Sequence, residues 1–195
     1  PGADLTLFDH LFSVHEAREL LEPLIRGGEI VWRQESVRVC GKWHPAPRLT
    51  AWHGDPGVTY TYSGVRHEAM PWTPTLSVIR KRIEPFAGVA FNSVLLNCYR
   101  DGADGMAWHS DDEPELGPQP VIASVSFGQA RKFQFKHKVG KVPPASIMLG
   151  NGSVLLMKGD TQRNWLHQVP KSRSIRNPMG VRVNLTFRVV STAGD

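Results

Sequence analysis

The chain has 195 residues, 41% of them hydrophobic and 21% charged, a balance that suits one globular domain with a real core and argues against disorder. No apolar run approaches the roughly 20 residues of a membrane helix, nothing at the start reads as a secretory signal, and two cysteines are too few for a disulfide scaffold or a zinc finger, so a reducing cytoplasmic setting (nuclear in a eukaryote) with no membrane partner is expected. The net charge of +5 hides an asymmetry: residues 116–195 hold twelve Lys and Arg against Asp160 and Asp195, whereas residues 1–115 sum to −5, and a basic half suits an anionic partner such as nucleic acid as well as it suits a solvated surface.

Ser13-Val14-His15-Glu16 is a capping box. It opens a helix with Ala17, Leu20, Leu21, Leu24 and Ile25 on one face, ending near Gly27-Gly28. Short strands are expected over 29–33 and 37–40, turns at Pro45, Pro47, Pro56 and Gly57, and a strand over 58–62. A second helix is predicted from Thr73-Pro74 to about Ile83, with Pro at its first position. After Gly88 the pattern changes. Residues 91–99, 121–127, 132–137, 145–149, 153–157 and 181–190 are rich in Val, Ile, Phe and Leu and are separated by Gly, Pro and Asn. Many short strands without intervening helices predict a mostly β sandwich or jelly roll. Residues 1–88 and 89–195 are expected as two parts of one compact unit.

Trp108-His109-Ser110-Asp111-Asp112-Glu113 carries the most chemistry. On extended backbone residues i and i+2 share a side, so His109 and Asp111 can aim an imidazole and a carboxylate at one point. A later His on a facing strand completes a two-His, one-carboxylate face with open positions, the arrangement of non-haem Fe(II) oxygenases. His167, 58 positions on, is the best third ligand. His-x-Asp alone is a weak signal, and an acidic turn beside a surface His has the same pattern.

Residues 181–189 alternate strictly: Val181, Val183, Leu185, Phe187 and Val189 on one side, Arg182, Asn184, Thr186 and Arg188 on the other. A polar row with two arginines and no acid suits an acidic small molecule, because Arg pairs bidentately with carboxylates.

With Asn97-Cys98-Tyr99 and Ser124-Val125-Ser126-Phe127-Gly128, these motifs resemble the AlkB family of 2-oxoglutarate and Fe(II)-dependent nucleic-acid dealkylating dioxygenases. Gly41-Lys42-Trp43-His44 and Thr59-Tyr60-Thr61-Tyr62-Ser63-Gly64 extend the likeness to the branch of homologues that repair DNA. The resemblance implies a double-stranded β-helix (jelly roll) core over 89–195. It adds N-terminal helices and a β-hairpin nucleic-acid recognition extension, the nucleotide lid, within 1–88. It implies that His109, Asp111 and His167 hold Fe(II), and that Arg182 and Arg188 pair with the carboxylates of 2-oxoglutarate. Asn97, Tyr99 and Asn184 are then its hydrogen-bonding partners, and O2 is the co-reactant. Tyr60, Tyr62, Ser63, Asp112 and Glu113 match positions beside an extruded base, where a carboxylate favours cationic N1-methyladenine or N3-methylcytosine. Lys42, Arg48, Arg131 and Lys132 are candidates for gripping phosphates. Val39-Cys40-Gly41 aligns with a hairpin that in some members wedges a bulky residue into the duplex; Cys40 is small and departs from that pattern.

The activity implied is oxidative demethylation of N-alkylated bases with release of formaldehyde, by a monomer, on alkylated DNA or RNA. The residues leave three other readings open. They are a 2-oxoglutarate hydroxylase or demethylase acting on protein or a small molecule, a nucleic-acid module without catalysis, and a jelly-roll enzyme using another metal.

Overall fold

A computed structural model of the chain describes residues 2–39, 41–62, 65–140, 142–172 and 180–191, with backbone alone at 38–39, 60–62 and 65–67. In chain order it forms β1 (Asp4–Phe8), α1 (Val14–Ile25), β2 (Ser36–Val39), β3 (Lys42–Pro45), β4 (Leu49–Gly54), β5 (Thr59–Tyr62), β6 (Val65–Glu68) and α2 (Pro74–Ala87). There follow β7 (Ser93–Tyr99), β8 (Met106–His109), a 3-10 turn (Pro114–Leu116), β9 (Ile122–Gly128), β10 (Arg131–His137) and β11 (Ala145–Leu149). The chain closes with β12 (Ser153–Lys158), α3 (Thr161–Asn164), β13 (Trp165–Val169) and β14 (Arg182–Arg188). Among the described residues no helix is long and apolar enough to cross a membrane.

Two antiparallel sheets build the jelly roll: β1-β12-β9-β14-β7-β4 and β11-β10-β13-β8. Period-2 alternation decides what each strand of the larger sheet shows to either side. Ala123, Val125, Phe127, Val183, Leu185, Phe187, Val94 and Leu96 form one core with Ala17 and Leu24 of α1 and Leu76, Ile79 and Ile83 of α2. The opposite side of the same strands, with Tyr99, Leu155 and Met157, meets Phe133, Phe135, Trp165 and Val169 of the smaller sheet. Both sides of β14 are therefore buried, although only one side is apolar. Two hairpins, β2-β3 and β5-β6, stand outside the sheets.

The caps form as the sequence dictates. Ser13 Oγ accepts from the Glu16 N–H at 3.2 Å while Glu16 Oε2 accepts from the Ser13 N–H at 2.8 Å. Helix α2 opens on Thr73, whose side chain accepts from the Leu76 N–H. It runs four residues beyond Ile83 and stops at Gly88, whose φ of 76° needs a residue without a Cβ penalty.

The expected strand over 29–33 does not form; Arg33 makes an isolated bridge to Thr50. The reason lies in packing: Ile30 is buried, and Trp32 Nε1 donates to the Leu24 carbonyl at 3.0 Å, so the segment is tied to α1 instead of a sheet. Strands β1 and β4, which the turn-rich and terminal sequence conceals, form the two edges of the larger sheet. Residues 1–88 thus contribute to the same sheet and core as residues 89–195.

A candidate metal and cosubstrate centre

Strands β8 and β13 pair so that His109 lies directly opposite His167. Their rings meet edge to face, 4.2 Å between centroids. Asp111, two residues past His109, reaches the same point: its Oδ2 is 3.8 Å from His167 Nε2. One ligand atom from each of the three lies within 4.8 Å of the others. The expected triad assembles from two neighbouring strands and the turn after one of them.

Each ligand is oriented by a further contact. The Nδ1 of His109 lies 2.8 Å from the Ala107 carbonyl. A carbonyl only accepts, so Nδ1 carries the proton and Nε2 keeps its lone pair for a metal. The Phe133 ring stacks on His167 at 5.2 Å. The Asp111 N–H donates to Gln162 Oε1 at 2.9 Å in a buried bond. The carboxylate is split between two tasks. Oδ1 accepts from Arg188 Nη2 at 2.6 Å, and Oδ2 faces the imidazoles.

Electrostatics keeps Asp111 and His167 in ligand form. Burial alone would raise the Asp111 carboxyl; the opposite charge of Arg188 is the chief influence against it, and the group is held below the ordinary carboxylate range. Burial, reinforced by His109, pushes His167 down to about 3, so it stays neutral at physiological pH. Two imidazole nitrogens and one carboxylate oxygen form a donor set that suits Fe(II).

A cavity of about 270 Å³ opens onto this triad, with Asn97, Tyr99, Asn184 and Arg188 in its wall. Asn97 Oδ1 accepts from Arg48 Nε at 2.8 Å. Asn184 spends its amide on the protein, donating to Ser124 Oγ at 2.8 Å and to the Val125 carbonyl at 3.0 Å. It therefore braces the wall. Arg182 lies at the other end of the polar row, 1% exposed, with its Cζ 5.2 Å from the Tyr99 ring centroid. One nitrogen donates to Ser126 Oγ at 2.9 Å; its Nε and Nη1 find no hydrogen-bond partner among the described residues. Burial pushes this guanidinium down to about 10. Buried, cationic and with two donors unmatched, it fits the carboxylate of a diacid. The residues therefore match both groups that the sequence implies, the metal and 2-oxoglutarate.

The outer candidates divide. Glu113 lines the cavity, together with Glu35, Glu68, Arg33 and Arg48. Asp112 does not. Successive side chains on extended backbone face opposite ways, so with Asp111 inside, Asp112 turns outward and accepts from Lys138 Nζ at 2.8 Å beside a separate cleft. Arg131 is no phosphate grip. Alternation on β10 buries it with Phe133 and Phe135, 2% exposed, and its guanidinium donates to three main-chain carbonyls. Arg48 likewise turns inward to Asn97. Lys132, and Lys42 on the β2-β3 hairpin, remain exposed. Ser63 and the Cys40 tip lie outside the described residues, as do the side chains of Tyr60 and Tyr62.

Sequence reasoning assigned no role to Ser124, Ser126 or Gln162, nor to Glu35 and Glu68 at the cavity wall. The serines had a signal: they interrupt an apolar strand at period 2, on the polar side. Gln162 and Glu35 had none, because only tertiary packing brings them to the site.

Comparison with known proteins agrees with this geometry. The family model described as 2OG-Fe(II) oxygenase superfamily matches residues 4–188. Human "DNA oxidative demethylase ALKBH2" is 42% identical over 188 residues, covering 92% of this chain and 71% of that protein. Human "Alpha-ketoglutarate-dependent dioxygenase alkB homolog 3" is 42% identical over 193 residues, covering 94% and 65%. The Arabidopsis thaliana protein named "DNA oxidative demethylase ALKBH2" is 35% identical over 215 residues, covering 97% and 67%. The solved structure of OsALKBH1 shares the fold, with a TM-score of 0.66 at 21% identity over 94% of this chain and 97% of that one. Fold, triad and arginine row together define a 2-oxoglutarate- and Fe(II)-dependent dioxygenase. Within that superfamily the chain belongs to the AlkB family. It spans about two thirds of the length of the curated relatives it matches.

Proposed function

We propose that this chain removes alkyl groups oxidatively from N-alkylated bases of the N1-methyladenine and N3-methylcytosine type in DNA, releasing formaldehyde. The observation that carries the reading is one cavity whose wall holds both the triad with Arg188 and the carboxylates of Glu35, Glu68 and Glu113, beside Arg33 and Arg48. A methylated base of this type is a cation, and a carboxylate-lined wall in a partly dry cavity favours it over the neutral base. The names of relatives at 42% and 45% identity support DNA as the polymer.

When bound, Fe(II), 2-oxoglutarate and O2 supply an oxidation strong enough to hydroxylate an N-methyl carbon, with succinate and CO2 as by-products. The chain supplies position and charge. His109, Asp111 and His167 would hold the metal, with Gln162 and Ala107 fixing two of these ligands. Arg182 would clasp one carboxylate of the diacid, while Arg188 orients Asp111 and faces the other. Glu113 would hold the cationic ring at the cavity wall. A base inside a duplex cannot reach the triad, so it must be extruded. Lys42 and Lys132 remain exposed to meet the phosphate backbone.

The test supplies an N3-methylcytosine oligonucleotide and an N-methylated peptide in parallel with Fe(II), 2-oxoglutarate and O2. Formaldehyde and succinate in equal amounts from the oligonucleotide are expected. Turnover of the peptide alone would favour a protein hydroxylase instead. Running single-stranded DNA, duplex DNA and RNA side by side ranks the polymers.

A further inference from the structure

Tyr99 ends β7 and faces Arg182, its cross-strand partner on β14. The first residue of β10, Arg131, brings a second buried guanidinium to the same ring. The Cζ atoms of Arg182 and Arg131 lie 5.2 Å and 5.7 Å from the Tyr99 centroid. The two arginines differ in how they are satisfied. Arg131 Nη1 donates to the Asp101 carbonyl at 3.0 Å, and Nη2 to the Asp104 and Pro170 carbonyls at 2.8 Å each. All three acceptors are neutral main chain. Arg182 keeps Nε and Nη1 unmatched among the described residues.

We propose that Arg131 is a positioning residue for 2-oxoglutarate: it clamps the loop after Tyr99 to the end of β13 and adds a second fixed positive charge behind Arg182, so that this end of the cavity selects a diacid. Its three bonds join the 101–104 loop to residue 170, the two segments that flank the strands bearing His109 and His167. Its guanidinium bonds only peptide carbonyls, with the Asp104 carboxylate near it already paired to Arg100, and it shares the Tyr99 ring with Arg182. Two like charges beside one ring favour an anion near them. Because Arg131 is buried, it exerts this field under little screening by salt. It does not touch the diacid; it acts through Tyr99 and Arg182.

The inference rests on the family's use of 2-oxoglutarate and not on the nucleic-acid reading. The test is equilibrium binding by calorimetry, without O2, to Mn(II)-loaded protein. Three proteins are compared (wild type, Arg131→Lys and Arg131→Gln), each titrated with 2-oxoglutarate and with the monoacid 2-oxobutyrate. Arg131→Gln should weaken 2-oxoglutarate on the order of tenfold and leave 2-oxobutyrate and Mn(II) within about twofold. Arg131→Lys keeps the charge and should stay within about threefold of wild type for both acids. Unchanged 2-oxoglutarate binding in Arg131→Gln overturns the proposal; so does equal weakening of both acids, which marks a purely structural residue. If the glutamine variant fails to fold, the lysine variant decides: loss of its preference for the diacid overturns the proposal, and retention supports it. A wild-type protein that binds no 2-oxoglutarate overturns the cosubstrate reading itself, a different result from any failure of the variants.

Discussion

Replacing Arg188 by Met tests the electrostatic design of the centre. The Asp111 and Arg188 side chains are 5% and 11% exposed, and their contact is 2.6 Å. Removing the guanidinium leaves a buried carboxylate without its bonded cation. Breaking one side of a buried pair costs about 3–5 kcal/mol, because the remaining charge is uncompensated. That is about a fifth or more of an ordinary domain's margin of about 5–15 kcal/mol. Burial then wins over the remaining partners and the Asp111 carboxyl rises, since Arg188 is the chief influence holding it down. The assay is urea unfolding of metal-free protein at pH 7 for wild type, Arg188→Met, Asp111→Asn and the double variant. The double variant leaves neither charge of this pair buried, so it should cost at least about 2 kcal/mol less than the two single losses combined. A loss below about 1 kcal/mol in Arg188→Met, or strict additivity in the double, would refute the reasoning.

Other outcomes follow from the same contacts. Gln162→Leu removes the acceptor of the Asp111 N–H and should weaken Mn(II) binding on the order of tenfold by titration, as loss of such supporting bonds commonly does. Phe187 is fully buried against Trp72 and Phe91; Phe187→Ala should cost about 3–5 kcal/mol in urea unfolding. His53 is buried, its Nδ1 2.7 Å from the Pro71 carbonyl, and burial pushes its imidazole below the ordinary 6.5 despite that bond. The unfolded chain therefore takes up the proton first, so the His53 contribution is complete above about pH 6.5 and declines as pH falls below it, by at most about 1.4 kcal/mol per unit. Thermal midpoints from pH 8 to 5 should fall more steeply for wild type than for His53→Gln. Glu113→Gln should lower kcat/KM for an N3-methylcytosine oligonucleotide on the order of tenfold, with 2-oxoglutarate binding unchanged.

The centre was legible because its geometry follows from short-range rules. His109 and Asp111 share a side by period 2, and Arg182, Asn184 and Arg188 follow the same rule on β14. The register that sets His167 opposite His109 was not legible, since pairing depends on the whole sheet. The same limit explains Arg131. Its neighbours suggested a basic surface, but β10 lies against a cavity, so alternation sends Lys132 out and Arg131 in. Asp112 was misplaced for the converse reason: it lies beside a ligand in sequence, and that adjacency turns it away. Strand β4 was concealed by the prolines around it, although it borders β7 over six residues. Glu35 and Gln162 reach the site only through tertiary packing, which no local pattern encodes.

The most direct measurement is an anaerobic visible spectrum of the protein titrated with Fe(II) and then 2-oxoglutarate. Wild type should develop a charge-transfer band that saturates at one equivalent of each, weakened in Arg182→Met and absent in Asp111→Ala. A wild-type protein that shows no band, or a band indifferent to both substitutions, would contradict the assignment of the triad and the arginine row.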